Sequence, residues 1–127
     1  IVMDTSLKVL VADDEEIVRK TVVDFLKASG HCVEQVDDGV DALTAMEDDT
    51  YDLLIADVRM PKMGGVALLA ACRDRYPDLP VIVITGHGDE ALSSEVLGLG
   101  ALSLLTKPFA LRDLGKILDN LHGSESI

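Results

Sequence analysis

Four acidic residues, Asp13-Asp14-Glu15-Glu16, follow the strand candidate Lys8-Val9-Leu10-Val11-Ala12, and Asp57 follows the apolar run Leu53-Leu54-Ile55-Ala56. Two more apolar runs end in Thr85-Gly86 and in Thr106-Lys107-Pro108. If these ends converge, Asp13, Asp14, Asp57, Thr85 and Lys107 supply three carboxylates, one hydroxyl and one ammonium. Two carboxylates about 5 Å apart repel by roughly 3 kcal/mol at an effective dielectric near 20. Three together call for a counter-charge, and a hard divalent cation, Mg2+ or Mn2+, meets that need with carboxylate, water and phosphate oxygens. Held beside such an ion and Lys107, Asp57 becomes a nucleophile toward phosphorus and forms an acyl phosphate. Thr85 can donate its hydroxyl to one phosphoryl oxygen, and Lys107 can bind another as a point charge. Such a transfer asks for little beyond positioning and charge neutralisation. Plainer uses exist. Asp13-Asp14 can cap a helix, and Lys107 can simply pair with an aspartate. Capping does not account for Asp57, whose place at a buried strand end is costly unless it is paired.

Convergence depends on the fold. Short apolar runs (8–12, 32–36, 53–56, 81–84 and 102–105) alternate with segments of helical spacing. Ile17, Val18, Val22, Phe25 and Leu26 space a first helix, stopped by Gly30. Val40 to Met46 form a second. Gly64-Gly65 open a third, with Val66, Leu69, Cys72 and Tyr76, and Pro77 closes it. Glu90 to Leu97 form a fourth, weakened by Ser93-Ser94 and Gly98. Leu111, Leu114, Leu118 and Leu121 mark a fifth, mainly as core against the sheet. This is an α/β chain of (βα)5 type. Continuous apolar runs mean strands covered on both faces, hence a parallel sheet, and right-handed crossovers make it doubly wound. The second run, Cys32-Val33-Glu34-Gln35-Val36, is polar enough for an edge. The functional crevice of such sheets lies beyond the carboxyl ends of the strands, where the residues above sit.

Composition narrows the field. The 127 residues fit one domain, and 48% hydrophobic with 27% charged content excludes wholesale disorder. With no Trp and 3% aromatic residues, the core is aliphatic. A net charge of -12 argues against direct nucleic-acid or anionic-membrane binding, which needs a basic face. No apolar run approaches the roughly 18 residues of a membrane span, and the first residues lack the pattern of a signal peptide. Cys32 and Cys72, without ligand spacing, are expected as small buried hydrophobes of a reducing cytosol.

The segments Val9-Leu10-Val11-Ala12-Asp13-Asp14-Glu15, Asp52 through Gly65 (with Asp57-Val58-Arg59-Met60-Pro61), Val83-Ile84-Thr85-Gly86-His87-Gly88-Asp89 and Leu105-Thr106-Lys107-Pro108-Phe109 together resemble the receiver domains of bacterial two-component response regulators. The resemblance implies a flavodoxin-like sheet in the order 2-1-3-4-5. It makes Asp57 the acceptor of a phosphoryl group from a sensor histidine kinase or phosphotransfer protein, with Mg2+ required. Asp14 and Asp57 would bind the metal directly, Asp13 mainly through water, and the backbone carbonyl of Arg59 would complete the protein ligands. Thr85 would be the switch hydroxyl and Lys107 the phosphate-binding lysine, with Lys107-Pro108 cis. The protein would be cytoplasmic, would act on an output domain or protein, and would dimerise through the face of the fourth helix, fifth strand and fifth helix. Residues 7–122 would form the domain, 1–6 a tail or expression remnant, and 123–127 a tail or linker stump.

Arg59 and His87, two residues past Asp57 and Thr85, are expected to flank the path of attacking water and set the lifetime of the phosphoryl group; the alternative is exposed loop residues without kinetic effect. Three residues before the lysine the family usually carries Tyr or Phe, and this chain has Leu104. Ring reorientation therefore cannot report phosphorylation, and repacking of Leu104 or the loop after Thr85 is expected to carry the change. Two other readings compete. A dehalogenase-type aspartyl-phosphate phosphatase would need a second Asp where Arg59 stands. A degenerate receiver serving only as a protein-binding module would not need its acidic set, Thr85 and Lys107 intact.

Overall fold

Strands and helices alternate strictly along the chain. The computed structural model describes residues 6–86 and 89–123. The elements are β1 (Lys8–Ala12), α1 (Glu16–Ala28), β2 (Cys32–Val36), α2 (Gly39–Asp48), β3 (Leu53–Asp57), α3 (Gly65–Arg75), β4 (Val81–Thr85), α4 (Glu90–Gly98), β5 (Ser103–Thr106) and α5 (Leu111–Gly123). All neighbouring strands are parallel, in the order β2-β1-β3-β4-β5, as the apolar patterning and the resemblance require.

The period-two alternation of β1, β3 and β4 divides the core into two layers. Leu10, Leu54, Ala56, Val81 and Val83 face α2, α3 and α4, against Ala42, Leu68, Leu69, Cys72 and Val96. Val9, Val11, Leu53, Ile55, Ile82 and Ile84 face α1 and α5, against Val22, Leu26, Leu114 and Leu118. Burying both faces is what makes these strands read as unbroken hydrophobic runs. β2 lies at the edge and is mostly exposed, as its polar residues suggest.

Two expectations need correction. Cys32 is exposed, because β2 pairs along one side only and its first residue turns outward; Cys72 is buried as expected, which pushes its thiol up to about 11. β5 begins one residue later than its apolar run suggests. Leu102 precedes the strand and stands 47% exposed, because Ile82 pairs with Ser103.

The turn from β3 into α3 holds the site against the core. Val58 N–H donates to the Ile84 carbonyl (2.9 Å) and Gly65 N–H to the Val58 carbonyl (2.9 Å). A Cβ at Gly65 would overlap the carbonyl oxygen of Asp57 and reach within 3.0 Å of Val58 Cα. Replacing Gly65→Ala is expected to cost about 1–3 kcal/mol through overpacking. It would appear as a lower urea midpoint with an unchanged slope; an unaltered midpoint would mean that this turn is slack.

Candidate functional site

Because the strands are parallel and nearly in register, their carboxyl ends share one edge: Ala12 lies opposite Ala56, Asp57 opposite Ile84, and Thr85 opposite Thr106. Each chemistry-bearing residue is the last of a strand or follows it. Asp13, Asp14 and Asp57 offer carboxylate oxygens within 4.8 Å of one another, with Asp13 and Asp57 buried and Asp14 exposed. Lys107 Nζ donates to Asp57 Oδ2 at 2.7 Å and also to the Glu15 carboxylate. Asp57 Oδ1 accepts from the Arg59 amide (3.2 Å), and Asp13 Oδ1 from the Glu15 amide (2.9 Å). Thr85 is buried with its hydroxyl 3.4 Å from that of Thr106, and its carbonyl accepts from the Lys107 amide (2.8 Å). The Lys107-Pro108 bond is cis.

Asp13 Oδ2 is buried and has no hydrogen-bond partner. A buried carboxylate oxygen without a donor is expensive. With three carboxylates against the single ammonium of Lys107, the donor set is hard, oxygen-rich and short of positive charge, which fits a small divalent cation. Burial alone would lower the pKa of Lys107, but the hydrogen bonds it donates to Asp57 and Glu15 and the charges of Asp13 and Asp57 outweigh it and raise the value. The ammonium is therefore fixed in its charged form.

The loop after Asp57 is held from several sides. Gly39 N–H donates to the Met63 carbonyl (3.0 Å), Lys62 Nζ lies 3.6 Å from the buried Asp38 carboxylate, and Lys62 takes a positive φ of 65°. A second acidic group, Asp37, Asp38 and Asp41, has a structural use: Asp38 accepts from the Asp41 amide (2.8 Å) and so caps α2.

The Arg59 side chain is exposed but tethered at its tip. Its guanidinium is paired with the buried Asp89. That contact holds the arginine above its ordinary pKa and the carboxyl of Asp89 below the usual carboxylate range. Asp89 and Glu15 were not among the expected site residues. Glu15 stood in the acidic run and gave no sign that it would reach Lys107; Asp89 closed one of the segments that carry the resemblance, but nothing in the sequence tied it to Arg59. His87 lies outside the described residues. Leu104 is half-buried against the layer formed by α2, α3 and α4. On the α4–β5–α5 side, Leu97 and Leu102 are exposed. Among the described residues no helix is long and apolar enough to cross a membrane.

The family model for the response regulator receiver domain matches residues 9–119. Response regulator MprA of Mycobacterium bovis is 39% identical over 111 residues, covering 86% of this chain and 47% of that protein. Response regulator protein FleR of Pseudomonas aeruginosa is 37% identical over 123 residues, 93% of this chain and 26% of that protein. The chain thus spans half or less of the curated relatives it matches. Among solved structures, the receiver domain of the Francisella response regulator 1452 superposes with a TM-score of 0.87 at 28% identity, covering 95% of this chain and 100% of that one.

Asp13 makes the electrostatics of the cluster testable. Burial chiefly pushes its carboxyl up from 3.8 to about 7; the Glu15 amide works against the rise and the charge of Asp57 adds to it. Between those two values the folded protein binds more protons at Asp13 than the unfolded chain does. Its contribution to stability therefore falls as pH rises from about 4 to about 7, and then levels off. In metal-free buffer, Asp13→Asn should gain stability relative to the native chain across that window, by roughly 1–3 kcal/mol. Urea midpoints at a series of pH values read this directly; a difference that does not change with pH would contradict it.

Proposed function

The chain belongs to the response regulator receiver family, a signalling module rather than an enzyme acting on metabolites, and from that premise we propose that Asp57 is its phosphoacceptor, charged from a phosphohistidine in a Mg2+-dependent reaction. The observation that carries this reading is the Asp57 carboxylate held at 2.7 Å by Lys107 beside the unpartnered Asp13 oxygen. Asp14 and Asp57 would hold the cation directly, Asp13 mainly through water, and the Arg59 carbonyl would complete the set. The ion, when bound, neutralises charge on the carboxylates and on the incoming phosphoryl group.

An Asp57 oxygen attacks phosphorus, the phosphorus–nitrogen bond to the donor imidazole breaks, and the acyl phosphate remains on the chain. Lys107 receives one phosphoryl oxygen as a fixed positive charge and the Thr85 hydroxyl donates to another. Arg59 and His87 would then screen the group from water and set its lifetime.

The partners proposed are a sensor histidine kinase or phosphotransfer protein and an output domain or protein, in the cytoplasm, with dimerisation through the α4–β5–α5 face. Residues 7–122 would make up the working domain. The change would pass through the loop after Thr85 and through repacking of Leu104. The alternatives, a dehalogenase-type phosphatase and a degenerate protein-binding receiver, lack a supporting observation: Arg59 stands where the former needs Asp, and the acidic set, Thr85 and Lys107 are all present.

Incubation with acetyl phosphate and Mg2+ should add about 80 Da, one phosphoryl group, to the intact mass. The gain should vanish with EDTA and in Asp57→Asn. No gain in the native chain, or an undiminished gain in Asp57→Asn, would overturn the assignment.

A further inference from the structure

Asp89 occupies the residue before α4, where an aspartate ordinarily accepts from the free N–H groups of the helix that follows. Here its side chain caps nothing in α4. Oδ1 accepts from Arg59 Nε at 2.9 Å and from Nη2, and Oδ2 accepts from the Gly86 amide at 3.1 Å, one residue past Thr85. The pair is lopsided: the Asp89 side chain is 2% exposed and that of Arg59 74% exposed. The guanidinium borders solvent, whereas the carboxylate is enclosed and tied to the Gly86 backbone. Arg59 also stands within reach of the acceptor. Its amide donates to Asp57 Oδ1, and the residue lines a cleft shared with Asp14 and with Leu92 of α4.

We propose that Arg59 is an exchangeable counter-ion: it neutralises Asp89 while Asp57 is bare, passes to the phosphoryl group once Asp57 carries one, and leaves the buried Asp89 without its counter-charge, so that the start of α4 shifts. The proposal rests on the reading of Asp57 as phosphoacceptor. A phosphoryl group offers close to two negative charges and oxygens that match the guanidinium fork, against one charge on Asp89. A buried carboxylate that loses its partner is costly, so the segment holding it must respond. Leu104 has no ring to rotate, and the exchange supplies a route from Asp57 to α4 that needs none.

The full chain is titrated with beryllofluoride and Mg2+, a mimic of the acyl phosphate, and followed by nuclear magnetic resonance. In the native protein the Arg59 Nε–H resonance should move together with the amides of α4. In Asp89→Asn without beryllofluoride, the α4 amides should already lie nearer their beryllofluoride-bound positions. Coupling is reciprocal, so that variant should bind beryllofluoride about 5-fold more tightly or better. The gain should disappear when Asp89→Asn is made in an Arg59→Met background. An Arg59 Nε–H resonance that stays put while the amides of Asp57 and Lys107 respond would overturn the exchange and leave the phosphoacceptor reading standing. A tightening that survives in the Arg59→Met background would reduce the effect of Asp89 to its charge alone, and would overturn it as well. If the amides of Asp57, Thr85 and Lys107 themselves do not respond, the phosphoacceptor reading fails and takes the exchange with it.

Discussion

Uncompensated negative charge at the carboxyl edge of the sheet is the constraint from which the rest of this site follows. Asp13 and Asp57 are buried there, Asp14 stands beside them, and the ammonium of Lys107 is paired with Asp57. Lys107 is already shared with Glu15. Its charge holds Asp57 but leaves an Asp13 oxygen without a donor. A set of groups that would be poor as core is well suited to gather a cation and a phosphoryl group, since each supplies what the other lacks.

The sheet makes this arrangement reproducible. The apolar residues of β1, β3 and β4 are buried on both faces, so the strands cannot slip without exposing a whole layer. The strand ends therefore stay in register, and the Lys107 amide is bonded to the Thr85 carbonyl across β4 and β5. The loop after Asp57 is anchored to β4, to α2 and to α3, and within it the Arg59 side chain is 74% exposed while paired with Asp89. A charge placed on Asp57 thus meets an anchored frame with an exposed guanidinium at its rim.

Much of this was legible in the sequence. Unbroken runs such as Val81-Ile82-Val83-Ile84 announce strands buried on both sides, and the polar β2 announces an edge. Asp57 stood out because nothing in an apolar strand accounts for a terminal carboxylate. What could not be read was pairing across the site. Lys107 reaching Glu15, and Arg59 reaching Asp89, join residues far apart in sequence whose meeting depends on loop geometry. The same limit misplaced Cys32, since a small residue in a strand gives no sign of which face it shows when the strand is an edge. The start of β5 slipped by one because Leu102 is as apolar as the strand it precedes.

The central claim is that the aspartates from the ends of β1 and β3 gather a divalent cation. A high-resolution crystal structure grown with Mg2+, with Mn2+ substituted for its anomalous signal, tests it most directly. The account predicts an ion about 2.1 Å from oxygens of Asp14 and Asp57, in an octahedral shell completed by waters and a backbone carbonyl. Asp13 should contact that shell. An ion found instead on Asp37, Asp38 and Asp41, with the Asp13 oxygen still unpartnered, would contradict it.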